Sequence, residues 1–307
     1  MKKQFLKTLL IGLSLTSFQL HAAPKPADYQ VELPASQSGP STFTPPSDEQ
    51  LPKGPFGDMV RYGRDLFMNT DQLRGKYTNN GMRCVNCHLD QGRKPDSAPL
   101  WGAYTMYPAY RKKTDRVDTM EERIQGCFMF SMNGTPPPAG SKELTALLSY
   151  HYWLSTGAPV GVALPGRGYP SLAKPAAQPD AGRGRAVYEA QCAVCHGADG
   201  LGQQGANGQY VFPPLWGKDS YNWGAGMHRI NTAAGFIKAN MPLGKPNSLS
   251  DQDAWDVARY INSQERPADP RALKTVAETD KVYHDENCTY GDHVHGHGHT
   301  LGKGTGK

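Results

Sequence analysis

The chain has 307 residues, 33 Lys+Arg against 28 Asp+Glu, and a formal net charge of +5. It contains 34 Gly, 25 Pro and six Cys. That much Gly and Pro excludes a coiled coil or a helix-rich bundle, the polarity excludes a multi-span membrane protein, and six cysteines are too few for a disulfide-dense scaffold of this length, though enough for a cofactor framework.

Residues 1–22 read as an export signal. Lys2, Lys3 and Lys7 precede an apolar run over 9–20 that is too short to span a bilayer, and cleavage is expected after Ala22. Removing this segment takes three cations and no acids, so the mature chain is nearly neutral. Export predicts a periplasmic location, with no transmembrane segment left after cleavage. The absence of a basic run gives a nucleic-acid partner no support. Residues 23–52, rich in Pro, Ser, Ala and Gln, read as an irregular leader. A second Pro/Gly/Ala stretch at 161–182 reads as a linker between domains at 53–160 and 183–267, and residues 268–307 as a His-rich polar tail.

The two flanks of the linker echo each other. Gly63-Arg64-Asp65-Leu66-Phe67, Cys84-Val85-Asn86-Cys87-His88 and Pro99-Leu100-Trp101-Gly102 recur as Gly184-Arg185-Ala186-Val187-Tyr188, Cys192-Ala193-Val194-Cys195-His196 and Pro214-Leu215-Trp216-Gly217. Each half closes with a helical pattern, over 141–155 and 250–264, the second with Ser250 as N-cap and Asp253 at N3. CxxCH is the attachment signature of haem c: two thiols bond the macrocycle and the adjacent His is set under the iron. A thioredoxin-like dithiol does not need the His, and a Cys₄ zinc site does not explain one after each pair. The expectation is therefore a mainly α, loop-rich fold of two cytochrome c-type domains, each wrapped around one covalently bound haem c. Cys84, Cys87 and His88 hold the first haem; Cys192, Cys195 and His196 hold the second. A proline near Pro99 or Pro214 packs on the haem in such domains, and a carbonyl beside it accepts the proton on the axial His.

For the sixth position of the second haem, Met241, followed by Pro242 in a loop before the last helix, is the expected ligand, with Met227 as fallback. The first half has no Met-Pro there; it has Arg123-Ile124-Gln125-Gly126-Cys127-Phe128-Met129-Phe130-Ser131-Met132-Asn133-Gly134. Cys127, Met129 and Met132 are all candidates, and a Cys127–Cys288 disulfide is an alternative fate for the two remaining cysteines.

That string, with CxxCH upstream and a second domain carrying Asn240-Met241-Pro242, resembles the tetrathionate-forming thiosulfate dehydrogenases, periplasmic dihaem cytochromes c; the resemblance spans about residues 55–265. It implies coupling of two thiosulfates to tetrathionate with two electrons passed to a soluble or membrane-associated cytochrome c or similar carrier, with reverse operation as a tetrathionate reductase also open. It implies Cys127 as thiolate ligand of the first haem, Met241 as ligand of the second, and Arg123 and Ser131 beside the substrate. A further cation comes from Arg111, Lys112 or Lys113, and Gln91 is a further substrate contact. Some relatives place a Lys before the ligating Met, where this chain has Asn240, which puts a Lys/Met ligand exchange in doubt. The chemistry suits these residues: two like unit charges at ~4 Å repel by about 4 kcal/mol at an effective dielectric near 20, and two dianions by more. An arginine fork offsets this while donating several hydrogen bonds. Cys127 is also a candidate to carry a thiosulfate sulfur covalently. The rival reading, a non-catalytic dihaem electron carrier, expects Met at both sixth positions. His284, Cys288, His293, His295, His297 and His299 form either a metal-binding tail or a solvated one.

Overall fold

The computed structural model describes residues 29–32, 42–294 and 299–305; the expected export signal lies outside the described residues, as do His295 and His297. The described part is mainly helical. It runs α1 (Gly54–Met68), the short turns α2 (Leu89–Gly92) and α3 (Trp101–Tyr104), α4 (Met120–Phe130), α5 (Lys142–Leu154), α6 (Ala181–Gln191), the short α7 (Ala193–His196), α8 (Ile230–Asn240), α9 (Asp251–Asn262) and α10 (Val276–Tyr283). Four two-stranded antiparallel ribbons punctuate it: β1 (Val31–Glu32) with β2 (Thr42–Phe43), β3 (Ala109–Arg111) with β4 (Arg116–Asp118), β5 (Gln203–Gln204) with β6 (Tyr210–Phe212), and β7 (His293–Val294) with β8 (His299–Thr300).

The repeated glycines explain the two principal helix crossings, α1 on α5 and α6 on α9. A Cβ on Gly63 would stand 1.9 Å from the Ala146 carbonyl oxygen, and one on Gly184 2.0 Å from that of Asp256. Only glycine lets the first helix of each half touch the backbone of the last. Both closing helices start at serine caps, Ser250 as expected and Ser141 in the same way. Ser141 Oγ accepts the Leu144 N–H, and Ser250 Oγ accepts that of Asp253 at 3.0 Å.

One core gathers Val60, Leu66, Trp101, Phe128, Leu147 and Tyr150; another gathers Tyr188, Ala234, Trp255, Val257 and Ile261. Segments that read as irregular contribute to both. In the leader, Val31 and Phe43 are buried, Phe43 packs on Trp101 at 5.6 Å, and Asp48 pairs with buried Arg93 at 2.8 Å. Over 161–182, Leu164 enters the first core while Tyr169 and Leu172 pack against the second. In the tail, Cys288, Tyr290 and Leu301 close with Trp223 into a third, small core. These few apolar groups are diluted by polar neighbours, so window composition hides them. Cys127 lies beside Arg123 and Cys288 beside His284, with no bond between the two, so the disulfide alternative does not form. No helix among the described residues is long and apolar enough to cross a membrane.

Candidate active site

The two CxxCH segments line two adjoining cavities. Cys84, Cys87 and His88 line the first, with Phe67, Leu100, Arg123, Cys127, Ser131, His151, Tyr169 and Tyr221. Cys192, Cys195 and His196 line the second, about 450 Å³, with Pro213, Leu215, Phe236, Ile237 and Met241. Met82, Cys87, Tyr221 and Met227 line both, so the cavities share a wall.

Each histidine is held in the same way. His88 Nδ1 lies 2.6 Å from the Ala98 carbonyl oxygen, and His196 Nδ1 2.8 Å from that of Pro213. A carbonyl only accepts, so Nδ1 carries the proton in both and Nε2 keeps its lone pair for a metal. Both carbonyls belong to the residue before the repeated Pro-Leu-Trp-Gly. The leucines of that string, Leu100 and Leu215, form the lining, where the prolines Pro99 and Pro214 were expected. A pair of thiols, an oriented imidazole and apolar walls around each space fit a covalently attached haem c. In the first cavity Thr70 Oγ1 accepts the Cys84 N–H at 3.2 Å, fixing the start of the motif.

The side opposite His88 is built by α4. A capping box starts it: Thr119 Oγ1 accepts the Glu122 N–H at 3.2 Å and Glu122 Oε2 accepts the Thr119 N–H at 2.8 Å. Arg123 and Cys127, one turn apart, then share a face. Arg123 Nη1 donates to Cys127 Sγ at 2.9 Å. Burial alone would raise the Cys127 pKa, but Arg123 and the adjacent His88 outweigh it and bring the thiol down to about 6. Cys127 is therefore poised as a thiolate, while Cys84 and Cys87 belong to the attachment motif. Arg123 is held firmly charged, chiefly by that sulfur.

Ser131 lines this cavity, and its carbonyl accepts from Asn80 Nδ2 at 2.8 Å. The other expected substrate contacts lie outside the lining. Arg111 Nη1 pairs with Asp118 at 3.3 Å on the β3–β4 ribbon. Lys113 donates to the Gly224 carbonyl, and its ammonium sits 3.5 Å from the Phe130 ring centroid. Burial of that ammonium, then Arg271, Arg123 and Arg111, lower its pKa to about 7. Gln91 Oε1 accepts from Arg93 at 3.2 Å, and its carbonyl accepts from the Tyr150 hydroxyl at 2.7 Å. Tyr169, Tyr221, Met82 and His151 line the first cavity without having been singled out in the sequence, since no local motif marks them. At the second cavity, Asn240 turns away from it: its Nδ2 donates to the Asp96 carbonyl at 2.9 Å. Lys238 is occupied with the Leu249 carbonyl at 2.6 Å.

Comparison with known proteins agrees with this layout. Residues 69–160 match the family model of the SoxA/TsdA cytochrome c domain, and 179–261 that of the cbb3-type cytochrome c oxidase subunit III. The chain is 55% identical to a thiosulfate dehydrogenase of Stutzerimonas stutzeri, over 96% of this chain and 97% of that one. It is 53% identical to one of Thiomonas intermedia, over 86% and 84%. A solved thiosulfate dehydrogenase (TsdBA) of Marichromatium purpuratum superposes with a TM-score of 0.83 at 51% identity, covering 86% of this chain and 58% of that longer one. Two haem-holding cavities, a mainly helical fold and this degree of identity place the chain in the thiosulfate dehydrogenase family of dihaem cytochromes c.

Proposed function

We propose that the chain joins two thiosulfates into tetrathionate, with domains at 53–160 and 183–267 acting as substrate and exit halves around the 161–182 linker. The observation that carries this reading is the Cys127 thiol in the His88 cavity with Arg123 at 2.9 Å. A plain electron carrier has no use for a buried thiolate–guanidinium pair. Two thiosulfate dianions form one S–S bond and release two electrons and no proton. Bound at these residues, the two haems supply acceptance of one electron each.

Arg123 orients a thiosulfate by its oxyanion and offsets the repulsion between the two reactants. Arg111 is paired with Asp118 and Lys113 with the Gly224 carbonyl, both outside the lining, so Arg123 carries the positive potential at the substrate, and Ser131 offers a polar group on the same wall. Cys127 would hold the first haem through its thiolate and Met241 the second through its thioether; a thiolate would lower and a thioether raise the potential of the group it holds, so the pair would favour electron flow from substrate to exit. With Asn240 tied to Asp96 and Lys238 to Leu249, Met241 meets no competing lysine. The exit side carries exposed apolar groups around the second motif, Val194, Val211 and Leu243, suited to transient docking of a periplasmic cytochrome c or similar carrier. The same centres operate in reverse as a tetrathionate reductase when driven by a low-potential donor. The test assays wild type and Cys127→Ala with thiosulfate and ferricyanide, and with tetrathionate and reduced viologen. Full activity of the variant would overturn the assignment. The oxidised wild type is expected to show one thiolate-ligated low-spin signal beside one His/Met signal.

A further inference from the structure

The small third core holds a set of donors that the redox site does not use. His228, His284 and Cys288 each present one ligand atom, and the three atoms lie within 4.8 Å of one another. His228 and Cys288 are buried, and the His284 side chain is fully enclosed. His228 Nδ1 is committed to the Trp223 carbonyl at 2.6 Å, which leaves the lone pair on Nε2. That Nε2 is buried without a hydrogen-bond partner. His284 Nδ1 is 3.6 Å from Cys288 Sγ, while its Nε2 is 3.3 Å from Asp269 Oδ2. A carboxylate behind one imidazole and a carbonyl behind the other are the supports that orient metal-ligating histidines. Tyr290 stacks on His284 at 3.9 Å and closes the site.

We propose that His228 Nε2, His284 Nδ1 and Cys288 Sγ bind a zinc ion, with solvent as fourth ligand, and that this metal fastens the tail to the second domain. Two imidazoles and a thiolate suit a borderline cation, and zinc accepts them in tetrahedral geometry without redox change. Binding transfers the Cys288 thiol proton to solvent and forms one Zn–S and two Zn–N bonds. The ligands come from the turn before α8 and from the segment after α10. These two segments are also joined by Ile230 N–H to Asn287 O at 2.6 Å and by Arg229 to Asp285 at 2.8 Å.

The experiment uses the full dihaem protein, incubated with zinc chloride, gel-filtered and measured by elemental mass spectrometry with haem iron as internal standard. One zinc per two irons is expected. Cys288→Ser and His228→Gln should each lower zinc at least tenfold with iron and visible spectrum unchanged. A variant with His293, His295, His297 and His299 all changed to Gln should keep it. Chelation should speed tryptic cleavage of the tail in wild type and not in Cys288→Ser. Zinc below a tenth per two irons in wild type would overturn the proposal. So would zinc that survives Cys288→Ser but is lost with the four-histidine change.

Discussion

In the first half, the cavity that holds His88 is completed by Cys127, Arg123 and Ser131; in the second, the cavity that holds His196 is completed by Met241 among Phe236, Ile237 and Leu243. Below the histidine the halves are copies. The same glycine seats the same helix crossing, and the carbonyl before the same proline fixes the same tautomer. Above it they diverge in charge and in sulfur chemistry. The shared parts make a haem cradle, which neither binds an anion nor selects a reaction. The unshared parts, all on α4, add a cation and a thiolate to one cradle only. Duplication thus provides two haem cradles, and the change of one wall is what the proposed substrate site rests on.

The largest way to break this contrast is to make the first cavity imitate the second. Cys127→Met should lower thiosulfate oxidation roughly a hundredfold or more, because the poised thiolate is lost, and should replace the thiolate-type electron paramagnetic signal by a second His/Met one. Steady-state assays and spectra on the same sample check both. Arg123→Lys keeps a charge but loses the fork, and is expected to cost about 10–100-fold in kcat/KM with both haems retained. The shared half of the contrast is tested by Gly63→Ala and Gly184→Ala. Each forces a methyl against a helix carbonyl, so each should destabilise by about 3 kcal/mol in chemical denaturation, and by similar amounts in the two domains. A cost at only one position would mean that the crossings are not equivalent.

The smallest effect concerns acid. Burial, only partly offset by the bond to Leu147, lowers His151 to about 4, so the folded protein keeps it neutral. Between pH 6.5 and 4 the unfolded chain takes up a proton that the folded chain refuses. Stability is then lost as pH falls, by at most about 1.4 kcal/mol per pH unit from this residue. His151→Gln should flatten that stretch of the pH–stability curve while leaving pH 8 little changed, as thermal melts at several pH values would show.

The cradle is legible in the sequence because its signals are local: CxxCH, a Pro-Leu-Trp-Gly string beyond it, a Ser cap with an acid at N3. Local residues alone leave Cys127 as one of several sulfur candidates, and the resemblance singles it out; its lowered pKa becomes visible only with Arg123 against it in space. Arg111, Lys113 and Gln91 show what residue type alone leaves out. Their residue types suit an anion, but Asp118, Gly224 and Arg93 with Tyr150 are their partners, and Gly224 and Tyr150 are remote in the chain. Tyr169 and Tyr221 enter the first cavity from a Pro-rich stretch and a loop, where neither periodicity nor motif points inward. The leader and tail read as loose because burial there rests on a few residues such as Phe43 and Leu301 among many polar ones.

The short loop at 96–98 has a wider consequence. Ala98 holds His88 through its carbonyl and is itself held through its N–H by the Gly168 carbonyl at 3.1 Å, while the Asp96 carbonyl receives Asn240, the neighbour of Met241. The 161–182 stretch is therefore a tension member and not a leash: it and Asn240 brace the strut beneath His88. Neither half is a portable cartridge. A relative built by exchanging one cytochrome domain for another has to carry the 161–182 strap and the Asn240 contact along with it, or its first histidine loses the support that aims it.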